Sequence, residues 1–305
     1  MWDAILSPEF FYSILRQTTP ILFATLAATI AARSGVINMA LEGIMLFSAL
    51  FGVIFSSIFG NAWMGLLITI ILGGLIGYIL AFFVLKLKTD EIIAAIAINL
   101  IATGGTVLLL LAFSGDRGNS ASIASFQIPR IVIPGIQNIP FLGDVLSNHN
   151  ILTYLSLISV VVLHIVLYKS PLGLKIRAVG ENKDAAESVG ISSQRIRFIA
   201  IIISCSLAAI GGFFLSGGYM TKFTTNMTAG RGYIALAASA MGGNTPIGGF
   251  LVSLLFGTAQ ALANAMQLVG LSSEIAQMLP YLATLVGLGV YSYRLMKKRE
   301  KLSGK

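Results

Sequence analysis

The sequence is poor in charged side chains. Only 10% of its 305 residues are Asp, Glu, Lys or Arg, whereas a soluble domain usually carries about 25%. Hydrophobic residues make up 56% of the chain, and the mean hydropathy is +0.88. This scarcity of charge excludes an ordinary soluble domain and predicts an integral membrane protein.

Cysteine and histidine are also scarce. The single cysteine, Cys205, excludes an intramolecular disulfide, and the two histidines form no metal-ligand spacing with it. The chain has no G-x-x-x-x-G-K-[ST] phosphate loop, and it offers no set of nucleophile, base and third partner near its apolar segments. We therefore expect a protein that is not an enzyme and that itself binds no metal or cofactor.

Long apolar runs recur along the chain, each near the roughly 20 residues that a helix needs to cross about 30 Å of hydrocarbon. The candidate spans are 18–32, 36–59, 62–85, 92–113, 150–168, 196–216, 246–266 and 273–293. Segment 231–243 is too short to span the membrane and predicts a re-entrant or broken helix. The sequence thus predicts an all-α polytopic protein with about eight to ten transmembrane or broken helices, forming a single domain over residues 1–305.

The distribution of lysine and arginine predicts the orientation. Cations are concentrated in segment 169–197 and in the tail 294–305, and cytoplasmic loops carry such an excess. The C-terminus is then cytoplasmic, and loop 114–148 is extracytoplasmic, provided that segment 231–243 counts as a crossing. This orientation beside lipid accounts for the net charge of +8 without a nucleic acid partner.

A few polar side chains interrupt the apolar runs. They are Asn38, Glu42, Asn99, Thr103 and Asn264. Asn38 and Glu42 are four residues apart and share one helix face, and a carboxylate within a span should face the protein interior or a wet cavity. Two interpretations stay open: these groups line a solute pathway, or they hydrogen-bond neighbouring helices as structural contacts.

The stretch VGENKDAAESVGI, residues 179–191, is a polar island in this apolar chain. Asn182 is a suitable N-cap, Asp184 suits the positive end of a helix, and Gly190 suits a left-handed stop. Ala185, Ala186 and Val189 would form a small apolar face. These signals predict a short cytoplasmic helix that docks in a groove of another protein, with a solvated loop as the alternative.

Four stretches carry family motifs. They are SGVINMALEG, TDEIIAAIAIN at 89–99, SPLGLKIRAVGENKDAAESVGI, and GRGYIALAASAMGGNTPIGG at 230–249. Together they resemble the permease subunits of bacterial ATP-driven (ABC) importers, in the branch that carries nucleosides and simple sugars and is related to ribose and branched-chain amino acid permeases. The resemblance covers nearly the whole chain, and Asn38, Glu42 and Asn99 match family motif positions.

The resemblance implies the ABC importer permease fold, in the bacterial cytoplasmic membrane. It implies a second, related permease, ATPase subunits that bind ATP and Mg²⁺, and an extracytoplasmic substrate-binding lipoprotein. The implied coupling helix, which inserts into a groove of the ATPase, comprises Gly180, Glu181, Asn182, Ala185, Ala186 and Gly190. Candidate contacts with the binding protein are the outer cations Arg117, Arg130, Lys222 and Arg231.

Nucleosides are the favoured cargo, with a simple sugar or another small polar solute as the alternative, because neutral amides suit either. An ion-coupled secondary transporter is the competing class, and it would use an intramembrane acid such as Glu42. The coupling-segment motif favours the ATP-driven importer.

Overall fold

The computed structural model describes residues 7–135 and 141–268, together with 278, 280–287, 289, 293 and 296. The helices are α1 (Pro8–Arg33), α2 (Leu41–Phe59), α3 (Ala62–Ala81), α4 (Glu91–Ser114), α5 (Leu142–Leu146), α6 (Ile151–Lys169), α7 (Pro171–Glu181), α8 (Lys183–Ser188), α9 (Ser193–Phe213), α10 (Arg231–Met241) and α11 (Pro246–Leu268). Short π-helices, Phe82–Lys86 and Phe214–Tyr219, extend α3 and α9. Strands β1 (Arg130–Ile131) and β2 (His149–Asn150) form one antiparallel pair.

Within this described part, 7 helices are long and apolar enough to cross a membrane. They are α1, α2, α3, α4, α6, α9 and α11, which confirms the all-α polytopic architecture. Of the candidate span 273–293, the structure describes only residues 278, 280–287, 289 and 293, and these are helical. The basic tail lies outside the described residues except for residue 296.

The predicted start of the first span, at residue 18, was wrong. Helix α1 begins at Pro8, where the Ser7 hydroxyl accepts a hydrogen bond from the Phe10 backbone N–H at 3.3 Å. Polar residues lowered the hydropathy here, yet Ser13 and Arg16 are half-buried and Gln17 is buried, while Glu9 is exposed. Polar side chains that pack within the protein therefore helped to hide the first ten residues of the helix.

Helix α1 is the centre of the bundle. It packs against α6, α9, α10 and α11, and 89% of its most apolar stretch is buried, compared with 28% for α3 and for α4. Leu22, Phe23 and Leu26 are fully buried on this helix. Large outward-facing side chains on α3 and α4, such as Ile71 and Leu100, place these two helices at the periphery, where they meet lipid or another subunit.

Helix α10 is a half-length helix, as segment 231–243 predicted. Its 11 residues rise about 16 Å, half of the hydrocarbon thickness. It begins beside Glu42 and ends at a turn where the Asn244 carbonyl accepts a hydrogen bond from Arg33 Nε at 2.5 Å. Helix α11 then returns along α1, because Ser253 and Thr25 share a hydrogen bond of 2.9 Å.

The two ends of the bundle differ in chemistry. One end, called the basic end below, brings together Arg33, Arg177 and Arg197 with α7 and α8. The opposite end, called the loop end, holds the folded segments 114–135 and 141–150. There the Ser120 backbone N–H donates to the Phe223 carbonyl at 2.9 Å, and the Tyr12 hydroxyl donates to the Asn148 carbonyl at 3.0 Å.

Candidate functional site

The polar island folds as a short capped helix, α8. Asn182 Oδ1 accepts a hydrogen bond from the Ala185 backbone N–H at 3.0 Å, and Asp184 lies in the first turn. Gly190 adopts a left-handed φ of 83°, and the Ile191 N–H donates to the Ala186 carbonyl at 3.0 Å. The predicted N-cap and left-handed stop are both confirmed.

The predicted apolar face of α8 was wrong in one respect. Ala186 is only 4% exposed and packs in a buried cluster with Ile176, Val179 and Ile196. Val189, by contrast, is 74% exposed, and Ala185 is exposed as well. Because α8 is only six residues long, one side must anchor it to its own chain, and Ala186 supplies that anchor. Any docking surface is formed by the other side.

Helix α7 is locked onto the central helix α1 at Gly180. A Cβ atom at this position would lie 2.1 Å from the Arg33 carbonyl oxygen, so only glycine permits the approach. Arg197 Nε donates to the Ser34 carbonyl at 3.1 Å, and Arg177 Nε donates to the Leu167 carbonyl at 2.9 Å. Arg177 thus ties α7 to the end of α6, and Arg197, which belongs to α9, ties α9 to the end of α1.

Asn38 and Asn99 are engaged within the protein. Asn38 Nδ2 donates to Ser204 Oγ at 2.9 Å, and its Oδ1 accepts from the Ala40 N–H at 3.2 Å. Asn99 Nδ2 donates to the Met39 carbonyl at 3.0 Å, and its Oδ1 accepts from the Gly43 N–H at 2.8 Å. Both amides thus hold the irregular backbone before α2.

Glu42 serves the half-helix α10. Its Oε1 accepts a hydrogen bond from the Gly230 backbone N–H at 2.8 Å, and its Oε2 accepts one from the Gly232 N–H at 2.7 Å. The first N–H groups of a helix have no partners within it and carry partial positive charge. The carboxylate therefore caps a helix that starts inside the bundle.

The remaining two pathway candidates lie in different surroundings. Thr103 is exposed on the peripheral helix α4, and its hydroxyl donates to the Asn99 carbonyl of the same helix at 2.9 Å. Asn264 on α11 lines two cavities, of about 520 and 230 Å³, and makes no hydrogen bond to any described residue. The structure does not bring these two side chains together with Asn38 and Glu42 in a single site.

Three of the four candidate docking cations lie at the surface of the loop end. Arg117, Arg130 and Lys222 are exposed. Arg231 is different: it is half-buried at the start of α10. There its Nη1 donates to the Met227 carbonyl at 3.0 Å and to the Thr228 carbonyl at 3.1 Å, and its Nε is buried.

His149 is a titratable residue that packs within the loop end. Its ring stacks on Tyr12 with centroids 4.0 Å apart, and its Nε2 lies 2.9 Å from the Val145 carbonyl. Burial lowers the pKa of His149, and the positive charges of Arg16 and Arg130 lower that pKa further. The imidazole therefore favours its neutral form.

Sequence reasoning missed Arg16 and Tyr219. The Arg16 guanidinium lies 4.5 Å from the centroid of the Tyr219 ring, and the Tyr219 hydroxyl accepts a hydrogen bond from Gln17 Nε2 at 3.1 Å. Both residues line the larger cavity together with Asn264. An arginine inside a membrane helix is itself a signal, but residue 16 fell before the predicted start of the first span.

The part of the chain that the structure describes contains no group of three His, Cys, Asp or Glu side chains able to hold a metal ion. The features described above are of two kinds: an exposed helix at the basic end, and polar cavities lined by residues of α1, α10, α11 and the π-helix that follows α9.

Comparison with known proteins gives relatives along most of the chain. The guanosine ABC transporter permease protein NupQ of Bacillus subtilis is 32% identical over 90% of this chain and 89% of its own length. The nucleoside ABC transporter permease protein NupC of Lactococcus lactis is 30% identical over 92% and 90%. TsgC13 of Haloferax volcanii, provisionally named as a glucose ABC transporter permease, is 32% identical over 85% and 78%. No solved structure matches the chain.

The family model described as the branched-chain amino acid transport system / permease component matches residues 10–288, which is most of the chain. A permease component is a transport subunit and not an enzyme, and it is one part of a larger transport system. With the relatives and the helical membrane fold in agreement, the chain belongs to this family of ABC transporter permease components.

Proposed function

We propose that this protein is the permease subunit of an ATP-driven importer and carries nucleosides across the bacterial cytoplasmic membrane. The observation that carries the proposal is the junction at Gly180. There the exposed helix α8 and its supporting helix α7 are fixed to the central helix α1, with room for no side chain between them. Such a junction suits a segment that receives force from another subunit. The cargo is inferred from NupQ and NupC.

The basic end is assigned to the cytoplasm, because an excess of Lys and Arg marks cytoplasmic loops. An ATPase subunit, which binds ATP and Mg²⁺, docks there on the exposed side of α8, around Ala185 and Val189. When paired ATPases close on ATP, they push α8, and the push reaches α1 through Gly180 and through the Arg197 bond to Ser34. A rigid-body rotation of α1 and its neighbours then opens the pathway to the other side.

Two further partners follow from exposed surfaces. A second, related permease completes the pathway, and the peripheral helices of this chain offer it large apolar faces. An extracytoplasmic substrate-binding lipoprotein docks on the loop end, where Arg117, Arg130 and Lys222 are exposed and available to its carboxylates. Arg231 is left out of that surface because it is half-buried and its Nη1 is held by the Met227 and Thr228 carbonyls.

Two alternatives, a sugar cargo and an ion-coupled mechanism, are not equally supported. A sugar is the alternative cargo, since TsgC13 has the same 32% identity to this chain as NupQ, although over 85% of the chain and not 90%. An ion-coupled mechanism through Glu42 is disfavoured, because both oxygens of this carboxylate already accept backbone hydrogen bonds. A proton or Na⁺ bound there would compete with the start of α10.

The cargo is tested by uptake in cells that express the whole transporter, compared with cells that lack this chain alone. Uptake of labelled guanosine should depend on the chain and should be inhibited by unlabelled nucleosides, but not by excess glucose or leucine. Uptake of glucose that requires the chain, with none of guanosine, would replace the nucleoside assignment by a sugar assignment.

A further inference from the structure

A polar crevice lies between α1, the end of α9, the start of α10, and α11. Its larger part, about 520 Å³, is lined by Arg16 and Tyr219, and its smaller part, about 230 Å³, is lined by Arg231 and Gln260. Asn264 and Gln267 line both parts, so the two cavities are neighbours that share a wall. Ligand sites commonly have volumes of about 300–1,000 Å³, so the feature, called the amide crevice below, is large enough for a drug-sized solute.

The amides of the crevice lie on one face of α11. Gln260, Asn264 and Gln267 follow the i, i+4, i+7 spacing that aligns side chains along a helix. None of the three makes a hydrogen bond to a described residue, although each carries two N–H donors and a carbonyl acceptor. Amides within a membrane helix normally bond a neighbouring helix, so a row of three with no such partner in the described part of the chain is suited to a polar solute.

The cations of the crevice also have unused capacity. Arg16 Nε and Arg231 Nε are buried and have no hydrogen-bond partner, although buried polar atoms are nearly always paired. Arg231 is held in place by the carbonyls of Met227 and Thr228, which occupy only its Nη1. Arg16 and Arg231 thus each line a cavity and each keep an Nε donor that no described acceptor satisfies.

An aromatic platform completes the crevice. Tyr219 ends the π-helix Phe214–Tyr219, an irregular turn of a kind that often occurs at functional sites. The Arg16 guanidinium lies over its ring at 4.5 Å. Planar bases stack on aromatic rings and on guanidinium planes, whereas a sugar offers no such plane.

We propose that the amide crevice is a transit site for the nucleobase of a purine nucleoside. The base stacks at Arg16 and Tyr219, and its edges accept hydrogen bonds from the arginine side chains of the crevice and bond the Asn264 amide. Guanine presents O6 and N7 as paired acceptors for arginine, and adenine presents N6 and N7 to an Asn or Gln amide. Pyrimidines lack N7 and form neither pair. This inference rests on the proposed nucleoside function and adds a purine preference inside the membrane.

The test uses cells that express the complete transporter, with initial uptake rates measured at saturating solute, where capture by the binding protein is not limiting. The variants are Asn264→Ala and Arg16→Lys, and Gln194→Ala, an exposed amide on α9, is the matched control. We expect each crevice variant to slow guanosine uptake about fivefold or more, the effect of losing about 1 kcal/mol of base recognition. Cytidine uptake should change less than twofold, and the control should not change either rate.

Equal losses for guanosine and cytidine, or no loss for either, would overturn the transit site while leaving nucleoside import intact. If the unmutated transporter carries no nucleoside, the proposed function itself fails. Membrane levels of each variant are measured by quantitative blotting. Should Arg16→Lys be absent from the membrane, Asn264→Ala and Gln260→Leu decide the question by the same comparison of guanosine with cytidine.

Discussion

Glu42 and Gly232 lie in direct contact: the carboxylate accepts the Gly232 backbone N–H at 2.7 Å, and a Cβ atom at Gly232 would lie 2.5 Å from the Glu42 backbone nitrogen. The second carboxylate oxygen accepts the Gly230 N–H at 2.8 Å. A helix can begin at membrane depth only if its free N–H groups are satisfied by protein. This pair is what allows α10 to be half a span long.

Glu42→Gln should destabilise the protein. The amide has one acceptor oxygen where the carboxylate has two, so one backbone N–H at the start of α10 is left without a partner. An unsatisfied buried donor costs about 1–3 kcal/mol. The thermal unfolding midpoint in detergent should fall for Glu42→Gln and stay unchanged for Glu181→Gln, an exposed carboxylate. Equal midpoints for the two variants would show that the capping bonds contribute nothing.

Gly180→Ala should uncouple the basic end from the bundle. The added methyl group meets the Arg33 carbonyl at 2.1 Å, so α7 must move away from α1. Gly104→Ala is the matched control, because a Cβ there meets nothing within 4 Å. We expect solute uptake to fall at least tenfold for Gly180→Ala and to stay normal for Gly104→Ala. Normal uptake by Gly180→Ala would mean that the junction does not transmit motion.

Val189 and Ala186 should separate docking from folding. Val189 is 74% exposed and Ala186 only 4%. Val189→Asp should therefore leave the unfolding midpoint unchanged but reduce co-purification of the ATPase, since a charge is placed on the docking side. Ala186→Leu should lower the midpoint, because overpacking a buried site costs about 1–3 kcal/mol. Full retention of the ATPase by Val189→Asp would remove this side of α8 from the docking surface.

Acid should loosen the loop end through His149. Burial lowers the pKa of His149 in the folded protein, so the unfolded state binds the proton more readily. Stability is then complete above the unfolded pKa of about 6.5 and declines as the pH falls below it. The unfolding midpoint should drop more between pH 7.5 and 5.5 for the native chain than for His149→Gln. An equal drop in both would assign the acid sensitivity to other groups.

Much of the fold was predictable because each membrane span needs a long run of apolar residues, which is visible in the sequence. Apolar runs located the helices, and the short run at 231–243 predicted the half-length helix α10. Local capping signals at Asn182 and Gly190 were also readable, because caps depend on a few neighbouring residues. The start of α1 was missed because hydropathy cannot distinguish a polar residue buried in protein from one in solvent.

The pairing of side chains across helices was not predictable. The prediction from spacing that Asn38 and Glu42 share one helix face was wrong, because Asn38 lies in the irregular segment before α2 and only Glu42 is helical. Only the folded chain brings Glu42 to the start of α10 and Asn38 to Ser204. The same holds for Arg16 and Tyr219, which are far apart in sequence and stack in the amide crevice. Long-range contacts of this kind leave no periodic signal within either segment.

The most direct measurement of the central claim is the energy source of uptake. Labelled guanosine uptake is measured in host cells without ATP synthase, so that ATP and the proton gradient can be removed separately. ATP-driven import predicts that uptake stops when ATP is depleted under an intact gradient and continues when the gradient is collapsed with ATP present. Uptake that survives ATP depletion and stops with the gradient would contradict the account and would assign the protein to the ion-coupled transporters.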